Sequence, residues 1–231
     1  RDFIKTASVA SVASLAAAVS GSGGLFAAGS DAIRIGVIGA GGRGTGAAID
    51  AVNSSPGVEI VALFDPFQDR IDKSLQTLRE KVPAALKVKP ERCFTGLDGY
   101  KKLLALKDIN YIVTAAPPGF RPIHLKAAVE AGKNVFMEKP VAVDPVGIRS
   151  VIASSELAAS KGLAIVAGTQ RRHQKKYLEV MKRIHDGAVG DLVGGQCYWN
   201  QGELWVIKQT PEMSDMEWQC RNWLYFSWTS G

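Results

Sequence analysis

Cysteine is scarce in this 231-residue sequence, and no two cysteines lie close together. Cys93, Cys197 and Cys220 are odd in number and include no Cys-x-x-Cys pair. Disulfide-dependent secreted domains and structural zinc sites carry even sets or close pairs of cysteines. The sequence therefore predicts buried or incidental thiols, with neither a disulfide framework nor a metal site.

Concentrated charge of one sign is also missing. The formal net charge is +6, but the basic residues are scattered except for a cluster between Arg171 and Lys176. A nucleic-acid-binding surface needs lysines and arginines gathered on one face, so we expect no nucleic-acid partner. With 46% apolar and 22% charged residues and no low-complexity linker after Ser30, the sequence is typical of a globular protein.

A long apolar run occurs only near the start. Residues 1–30 combine a charged stretch, Arg1 to Lys5, with an apolar run from Ala7 to Val19 and a tail of small residues. These are the parts of an export signal, and one more arginine before Arg1 would complete a twin-arginine motif. We expect a periplasmic or otherwise exported protein without a stable membrane span after signal removal. A Sec-type signal or a membrane anchor is the alternative.

Short apolar runs alternate with helical patterns from residue 31 onward. This alternation predicts βαβ units, hence an α/β fold with a doubly wound parallel sheet, a Rossmann domain over 31–170. The expected strands are Ile33–Ile38, Val58–Phe64, Arg92–Thr95, Tyr111–Thr114, Asn134–Met137 and Leu163–Val166. The expected helices are Gly44–Val52, Phe67–Lys81, Gly99–Leu106, Pro122–Ala131 and Pro145–Lys161.

The pattern changes over residues 171–231. A helix is expected over Tyr177–Ile184 and a strand over Asp191–Trp199. All five tryptophans of the chain lie between residues 199 and 228 and need a surface to pack on. We interpret this stretch as the N-terminal part of a truncated substrate or oligomerisation domain, too short to stand alone.

A glycine loop follows the first expected strand. Gly39-Ala40-Gly41-Gly42-Arg43-Gly44 has the spacing Gly-x-Gly-x-x-Gly between a strand and a helix. The first glycine permits a tight turn, the second lets the backbone approach a pyrophosphate, and the third lets the helix pack against the strand. The helix N-terminus then offers N–H groups to the phosphates. A flexible glycine-rich loop is the alternative, but the strand and helix context favours a dinucleotide site that includes Gly42 and Arg43.

Asp65 closes the second expected strand. A carboxylate there accepts hydrogen bonds from ribose hydroxyls and repels a 2′-phosphate, so NAD is favoured and NADP is less favoured. Arg43 could partly restore NADP binding. The alternative is that Asp65 only caps the following helix.

Glu138-Lys139-Pro140 ends the fifth main strand. A residue before proline is biased toward extended backbone, so Lys139 should lie at the carboxyl edge of the sheet, where open α/β sheets bind ligands. Its ammonium could polarise or anchor a substrate oxygen. Most lysines are solvated surface residues, so the motif by itself is also compatible with a Lys139 that has no role in a site.

Together, three motifs carry a family resemblance. They are Ile35–Gly39 with its glycine loop, Ala115–Pro118 followed by His124, and Val135–Pro140. The sequence from about residue 31 to 231 resembles the Gfo/Idh/MocA family, named for glucose-fructose oxidoreductase, inositol dehydrogenase and a rhizopine-catabolism protein. Asn222–Phe226 resembles an exported bacterial branch of that family.

The resemblance implies a second α/β domain with a mostly antiparallel sheet after the Rossmann domain, incomplete in this chain, and a homo-oligomer when full length. Family members usually add an Asp and a His on a later helix for proton transfer, and the chain ends before such a pair. By the same resemblance, Gly39, Gly41 and Gly44 match the pyrophosphate loop, Asp65 the ribose contact, Pro117, His124 and Glu138 the nicotinamide walls, and Lys139 the catalytic lysine.

The basic cluster after the sixth strand supplies weaker candidates for the substrate. Arg171 or His173 could contact a sugar hydroxyl or carboxylate. A solvated basic helix start explains the cluster equally well.

The expected activity is NAD-dependent hydride transfer to or from a sugar, cyclitol or related polyol. One alternative is an NAD-dependent glycoside hydrolase of the same family, which returns its cofactor unchanged. The other is a non-catalytic dinucleotide-binding protein, because function resides in sites rather than in folds.

Overall fold

The computed structural model describes residues 32–231, which contain a six-stranded parallel sheet with helices on both faces. The strands are β1 (Ile33–Ile38), β2 (Val58–Phe64), β3 (Cys93–Phe94), β4 (Tyr111–Thr114), β5 (Asn134–Glu138) and β6 (Ile165–Gly168). The helices are α1 (Gly42–Ser54), α2 (Gln68–Lys81), α3 (Gly99–Leu104), α4 (Arg121–Glu130), α5 (Pro145–Ser160), α6 (Lys175–His185), α7 (Asp215–Arg221) and α8 (Ser227–Ser230).

The strand order is β3-β2-β1-β4-β5-β6, and every neighbouring pair is parallel. This order confirms the predicted Rossmann fold, because two βαβ halves run outward from a reversal point between β1 and β4. In the register of these two strands, Ile35 pairs with Tyr111 and Ile38 with Thr114. The crevice at the carboxyl ends of β1 and β4 is therefore the expected ligand site.

The core lies on both faces of the sheet because successive strand residues point to opposite sides. In β2, Leu63 packs toward Ile71 and Leu78 of α2, whereas Phe64 packs with Leu103 and Leu125 on the other face. All six side chains are almost completely buried. Burial on two faces explains why the strands are near-continuous apolar runs.

The segment after β6 has less regular structure. A 3₁₀ helix over Gln170–His173 leads into α6, and the helix expected over Tyr177–Ile184 is thus confirmed. The strand expected over Asp191–Trp199 is wrong: this stretch carries no strand, and Val193 is fully exposed. Alternating apolar residues form a strand only beside a partner, and the described chain places none there.

Residues 33–231 form one compact unit. The division at residue 170 and the second domain stay predictions. The export signal expected over 1–30 lies outside the described residues. Among those described, no helix is both long enough and apolar enough to cross a bilayer.

Candidate functional site

The carboxyl edge of the sheet brings several predicted site residues together. A cleft of about 650 Å³ is lined by the glycine loop after β1, Asp65 after β2 and Pro117 after β4. Lys139 follows the last residue of β5 at the same edge. The topology of a parallel sheet is sufficient to gather these residues, because all strand ends point the same way.

Two glycines of the loop are required by close packing. Gly39 has a φ of +88°, and a Cβ on it would lie 2.6 Å from the backbone nitrogen of Ala116. A Cβ on Gly44 would lie 1.9 Å from the Gly39 carbonyl oxygen. Neither position can carry a side chain, so the loop stays close to β4 and α1 stays close to the turn.

The other two glycines leave the backbone open toward the cleft. Among the described residues, a Cβ on Gly42 would meet nothing within 4 Å, and one on Gly41 would meet only an Arg70 nitrogen at 3.7 Å. Gly41 is the N-cap of α1 and provides no side-chain hydrogen bond to the helix. The first N–H groups of α1 therefore lack a side-chain cap, and this arrangement fits the phosphates of a dinucleotide.

Asp65 is buried at the end of β2, with 3% of its surface exposed. Its carboxylate accepts a hydrogen bond from the Phe67 backbone nitrogen at 3.1 Å and another from the Ala40 backbone. Burial nevertheless raises the pKa of Asp65 to about 6, and the nearby Arg70 offsets only part of this effect. Asp65 thus holds the chain between β2 and α2 while it lines the cleft.

His124 is buried in α4, although a histidine in a first helical turn is commonly exposed. Its ring centroid lies 4.5 Å from that of Tyr100, 6.0 Å from Phe64 and 6.2 Å from Phe120. Nδ1 has no hydrogen-bond partner within residues 32–231, and burial, with the neighbouring Arg121, lowers the pKa of His124 to about 4. The imidazole is therefore neutral near pH 7, and it lines a small cavity of about 40 Å³ beside Asp65.

Glu138 and Arg43 form an ion pair that sequence reasoning missed. Glu138 is 3% exposed, and its Oε1 accepts from both Nε and Nη2 of Arg43, with the Nε bond at 2.8 Å. A buried carboxylate needs such donors. The pair joins the glycine loop to the end of β5. A Cβ on Gly168 in β6 would lie 2.8 Å from the same oxygen, so Gly168 leaves room for the carboxylate.

Lys139 is exposed, and the peptide bond to Pro140 is cis. Arg121, which sequence reasoning did not single out, joins the loop after β5 to the loop after β4. Its guanidinium donates to the carbonyl of Ala116 at 2.8 Å and to that of Pro140. Burial lowers the pKa of Arg121 to about 10. The buried Arg121 thereby fixes the loop that follows Lys139 against the loop that follows β4.

The weaker substrate candidates lie elsewhere. Arg171 and His173 are exposed in the 3₁₀ helix after β6, and neither lines the cleft around the glycine loop. The Arg171 Nε donates to the Tyr177 hydroxyl at 3.2 Å, and its guanidinium lies 4.7 Å from the Trp199 ring centroid. These contacts occupy Arg171 with its own segment.

Part of the cleft lining comes from the segment after α6. Trp205, Ile207, Arg221 and Trp223 line the cleft together with the glycine loop. Nothing in the sequence pattern indicates that these residues reach the glycine loop. The described residues contain no group of three or more His, Cys, Asp or Glu side chains able to hold a metal ion.

Comparison with known proteins agrees with this geometry. Residues 33–169 match the model of the oxidoreductase family with an NAD-binding Rossmann fold, Gfo/Idh/MocA. Inositol 2-dehydrogenase 4 of Saccharopolyspora erythraea is 30% identical over 68% of this chain and 42% of its own length. A glycosyl hydrolase family 109 protein of Streptomyces coelicolor is 28% identical over 71% of this chain and 33% of its own.

The fold also has solved counterparts. Myo-inositol 2-dehydrogenase from Lactobacillus plantarum superposes with a TM-score of 0.57 at 24% identity, over 71% of this chain and 44% of that one. The chain thus spans about a third to two-fifths of the length of these curated relatives. Since the family model covers more than half of its residues, the chain belongs to the Gfo/Idh/MocA family of NAD-binding oxidoreductases.

Proposed function

We propose that this chain is the dinucleotide-binding part of an oxidoreductase that transfers a hydride between NAD and a sugar, cyclitol or related polyol. The observation that carries this proposal is the uncapped start of α1. Gly41 and Gly42 leave its backbone open to a cleft that also contains Asp65, and Lys139 follows at the same edge. The similarity to an inositol 2-dehydrogenase supports a polyol substrate.

The residues present fit a dinucleotide. The first N–H groups of α1 would hold the pyrophosphate, and the Asp65 carboxylate would accept hydrogen bonds from the adenosine ribose. An ionised Asp65 repels a 2′-phosphate, which favours NAD over NADP. Arg43 is engaged by Glu138 and so does little to reverse this preference.

The nicotinamide end would lie beyond the crossover toward β5. When bound, the nicotinamide ring accepts or donates the hydride. Glu138, Pro117 and His124 contribute to the walls there. Lys139 would place its Nζ against the reacting substrate oxygen, where a positive charge stabilises the negative charge that develops during hydride transfer. Arg171 and His173 are secondary candidates for contacts with substrate hydroxyls.

Glycoside hydrolysis is the second candidate function, favoured by the similarity to a glycosyl hydrolase family 109 protein. In that route a sugar is oxidised transiently, the aglycone is eliminated, water is added and the ring carbon is reduced again. Its overall chemistry consumes no cofactor, although it needs the same glycine loop and the same lysine.

One experiment separates these functions. The full-length protein is incubated with NAD and a panel of inositols and free sugars, and NADH is followed by absorbance. In parallel, p-nitrophenyl glycosides are tested for release of nitrophenol. A dehydrogenase accumulates NADH, whereas a hydrolase releases nitrophenol with no net NADH. Dinucleotide binding without either product would contradict both and leave a binding protein.

Export and assembly are further parts of the proposal. The pattern of residues 1–30 supports twin-arginine export, and cofactor loading before export would suit an enzyme that works where free NAD is scarce. We expect the protein in the periplasmic fraction of its host, and a cytoplasmic location would contradict this. A homo-oligomer is expected for the full-length protein, and its mass in solution is the test.

A further inference from the structure

The cleft beside the glycine loop has two walls of different origin. One wall is α2, which contributes Lys73 and Thr77 beyond Asp65. The other is formed by residues 205–223, which contribute the indoles of Trp205 and Trp223. The ring centroids of the two indoles are 6.0 Å apart, and their planes are inclined by 49°. Trp205 keeps 43% of its surface exposed, so apolar ring surface remains available at this end of the cleft.

Arg221 joins α2 to the wall formed by residues 205–223, called the indole wall below. Its Nη1 and Nη2 donate to the two carboxylate oxygens of Asp69 at 3.1 and 3.0 Å. Its guanidinium also lies 4.0 Å from the centroid of the Phe67 ring. A two-pronged contact of this kind sets orientation as well as distance. The segment that carries the indoles is therefore joined directly to α2.

Asn222 stabilises the indole wall through hydrogen bonds within that segment. It is 2% exposed, and its side chain accepts from the Ile207 nitrogen at 2.8 Å and donates to the Ile207 oxygen at 3.0 Å. Trp218 Nε1 donates to the same oxygen at 2.8 Å, and Trp205 Nε1 donates to the Arg221 oxygen at 3.3 Å. These bonds hold the irregular stretch around Ile207 against α7, so the indoles have defined positions.

The position of the wall matches one part of a dinucleotide. With the pyrophosphate at the start of α1 and the ribose at Asp65, the base on that ribose lies beside Asp65, away from the pyrophosphate. Trp205 and Trp223 line the same cleft as Asp65, and Arg221 joins their segment to Asp69, four residues after Asp65. An adenine ring is planar and aromatic, and stacking on indole is among its most favourable contacts.

We propose that Trp205 and Trp223 form the adenine subsite and that the segment 205–223 thereby covers the adenosine half of the dinucleotide. The inference rests on the proposed dinucleotide binding and deepens it. It makes residues beyond the Rossmann domain part of the cofactor site, and it leaves the nicotinamide half to the side of β5, where Glu138 ends the strand and Lys139 follows.

The test measures the affinities of ADP-ribose and nicotinamide mononucleotide by calorimetry for the parent chain and for Trp205→Ala and Trp223→Ala. Loss of one stacking contact should weaken ADP-ribose binding by about 5- to 150-fold. Nicotinamide mononucleotide carries no adenine, so its affinity should stay unchanged. Trp199→Ala is the matched control, because Trp199 is an exposed tryptophan that does not line the cleft.

A second readout does not depend on how well the alanine variants fold. ADP-ribose should quench the tryptophan fluorescence of the parent, and the quenching should shrink in Trp205→Phe and Trp223→Phe, which keep an aromatic ring. If the parent binds ADP-ribose without quenching, or if both alanine variants bind it as tightly as the parent, the adenine subsite is refuted while dinucleotide binding stands. If the parent binds no ADP-ribose, the proposed function itself fails.

Discussion

Replacing Asp65 with asparagine should stabilise the ligand-free protein at neutral pH while weakening its dinucleotide binding. The carboxylate is 3% exposed and sits at the end of β2, where burial opposes its charge. Asparagine has nearly the same shape and keeps one oxygen acceptor. The substitution therefore removes the cost of burying a charge with little change in packing.

The magnitude follows from the raised pKa. Burial raises the pKa of Asp65 from 3.8 to about 6, and each pKa unit corresponds to about 1.4 kcal/mol, which gives about 3 kcal/mol against the ionised form. The carboxylate accepts from the backbone nitrogens of Phe67 and Ala40, and the asparagine amide would leave one of these donors poorly paired, at a cost of about 1 kcal/mol. The net gain at pH 7 should be about 2 kcal/mol.

The sign of the pH dependence is specific. Because the folded pKa lies above the unfolded value, the contribution of Asp65 to stability is present below about pH 3.8 and is lost as pH rises through about 6. The gain in free energy of unfolding of Asp65→Asn over the parent should thus be absent near pH 4, grow between pH 4 and 6, and stay constant at higher pH. Urea unfolding of dinucleotide-free protein at a series of pH values measures this difference.

Asp69→Asn is the matched control. Asp69 lines the same cleft, but the pKa of its carboxyl is shifted in the opposite direction from that of Asp65. A hydrogen bond from Arg221 holds the pKa of Asp69 below its usual value. Its ionised form therefore contributes stability above the unfolded pKa, and that contribution is lost as pH falls through the folded pKa. Asp69→Asn should be less stable than the parent at pH 7 and similar to it at the acid end. An Asp65→Asn protein less stable than the parent at pH 7 would refute the reasoning.

Binding should change in the other direction. The ionised Asp65 is the proposed acceptor for ribose hydroxyls, and a hydrogen bond to a charged group contributes about 1.5 to 3 kcal/mol. Asp65→Asn should weaken NAD binding by about ten- to a hundredfold and narrow the preference for NAD over NADP, as measured by calorimetry with both dinucleotides. An unchanged preference would mean that Asp65 serves only the turn between β2 and α2.

The fold was predictable because its signals are local. The strands Ile33–Ile38, Val58–Phe64 and Tyr111–Thr114 have the bounds that the sequence predicts, since β-branched runs buried on both faces are distinctive. The strand predicted at Leu163–Val166 begins instead at Ile165, which is an ordinary boundary error. The strand predicted over Asp191–Trp199 did not form, because a strand depends on a partner that its own sequence does not encode.

The site was predictable only in part. The glycine loop and Asp65 could be placed at one edge of the sheet, because parallel topology determines where strand ends lie. The Arg43–Glu138 ion pair joins residues 95 apart in sequence, and the Arg221–Asp69 pair joins residues 152 apart. Such pairs depend on how distant loops pack, for which a single sequence offers no periodic signal. A buried strand-end glutamate that needs a cation could have pointed to Arg43.

Two further substitutions probe the nicotinamide end of the cleft. Arg43→Ala should lower the unfolding midpoint by roughly 4 to 8 °C, because Glu138 loses charge-assisted hydrogen bonds worth about 2 kcal/mol. In calorimetry, the double variant with Glu138→Gln should recover part of the lost midpoint temperature. Equal midpoints for the parent and Arg43→Ala would contradict the pairing. Lys139→Met keeps the aliphatic stem of an exposed side chain and removes its charge. If the ammonium stabilises the reacting oxygen, turnover of the full-length protein on its best polyol should fall by about 10² to 10³ while NAD affinity changes far less. Lys126→Met, on the exposed face of α4, is the control and should keep parental turnover. A Lys139→Met protein as active as that control would show that Lys139 is a solvated surface residue without a part in the reaction.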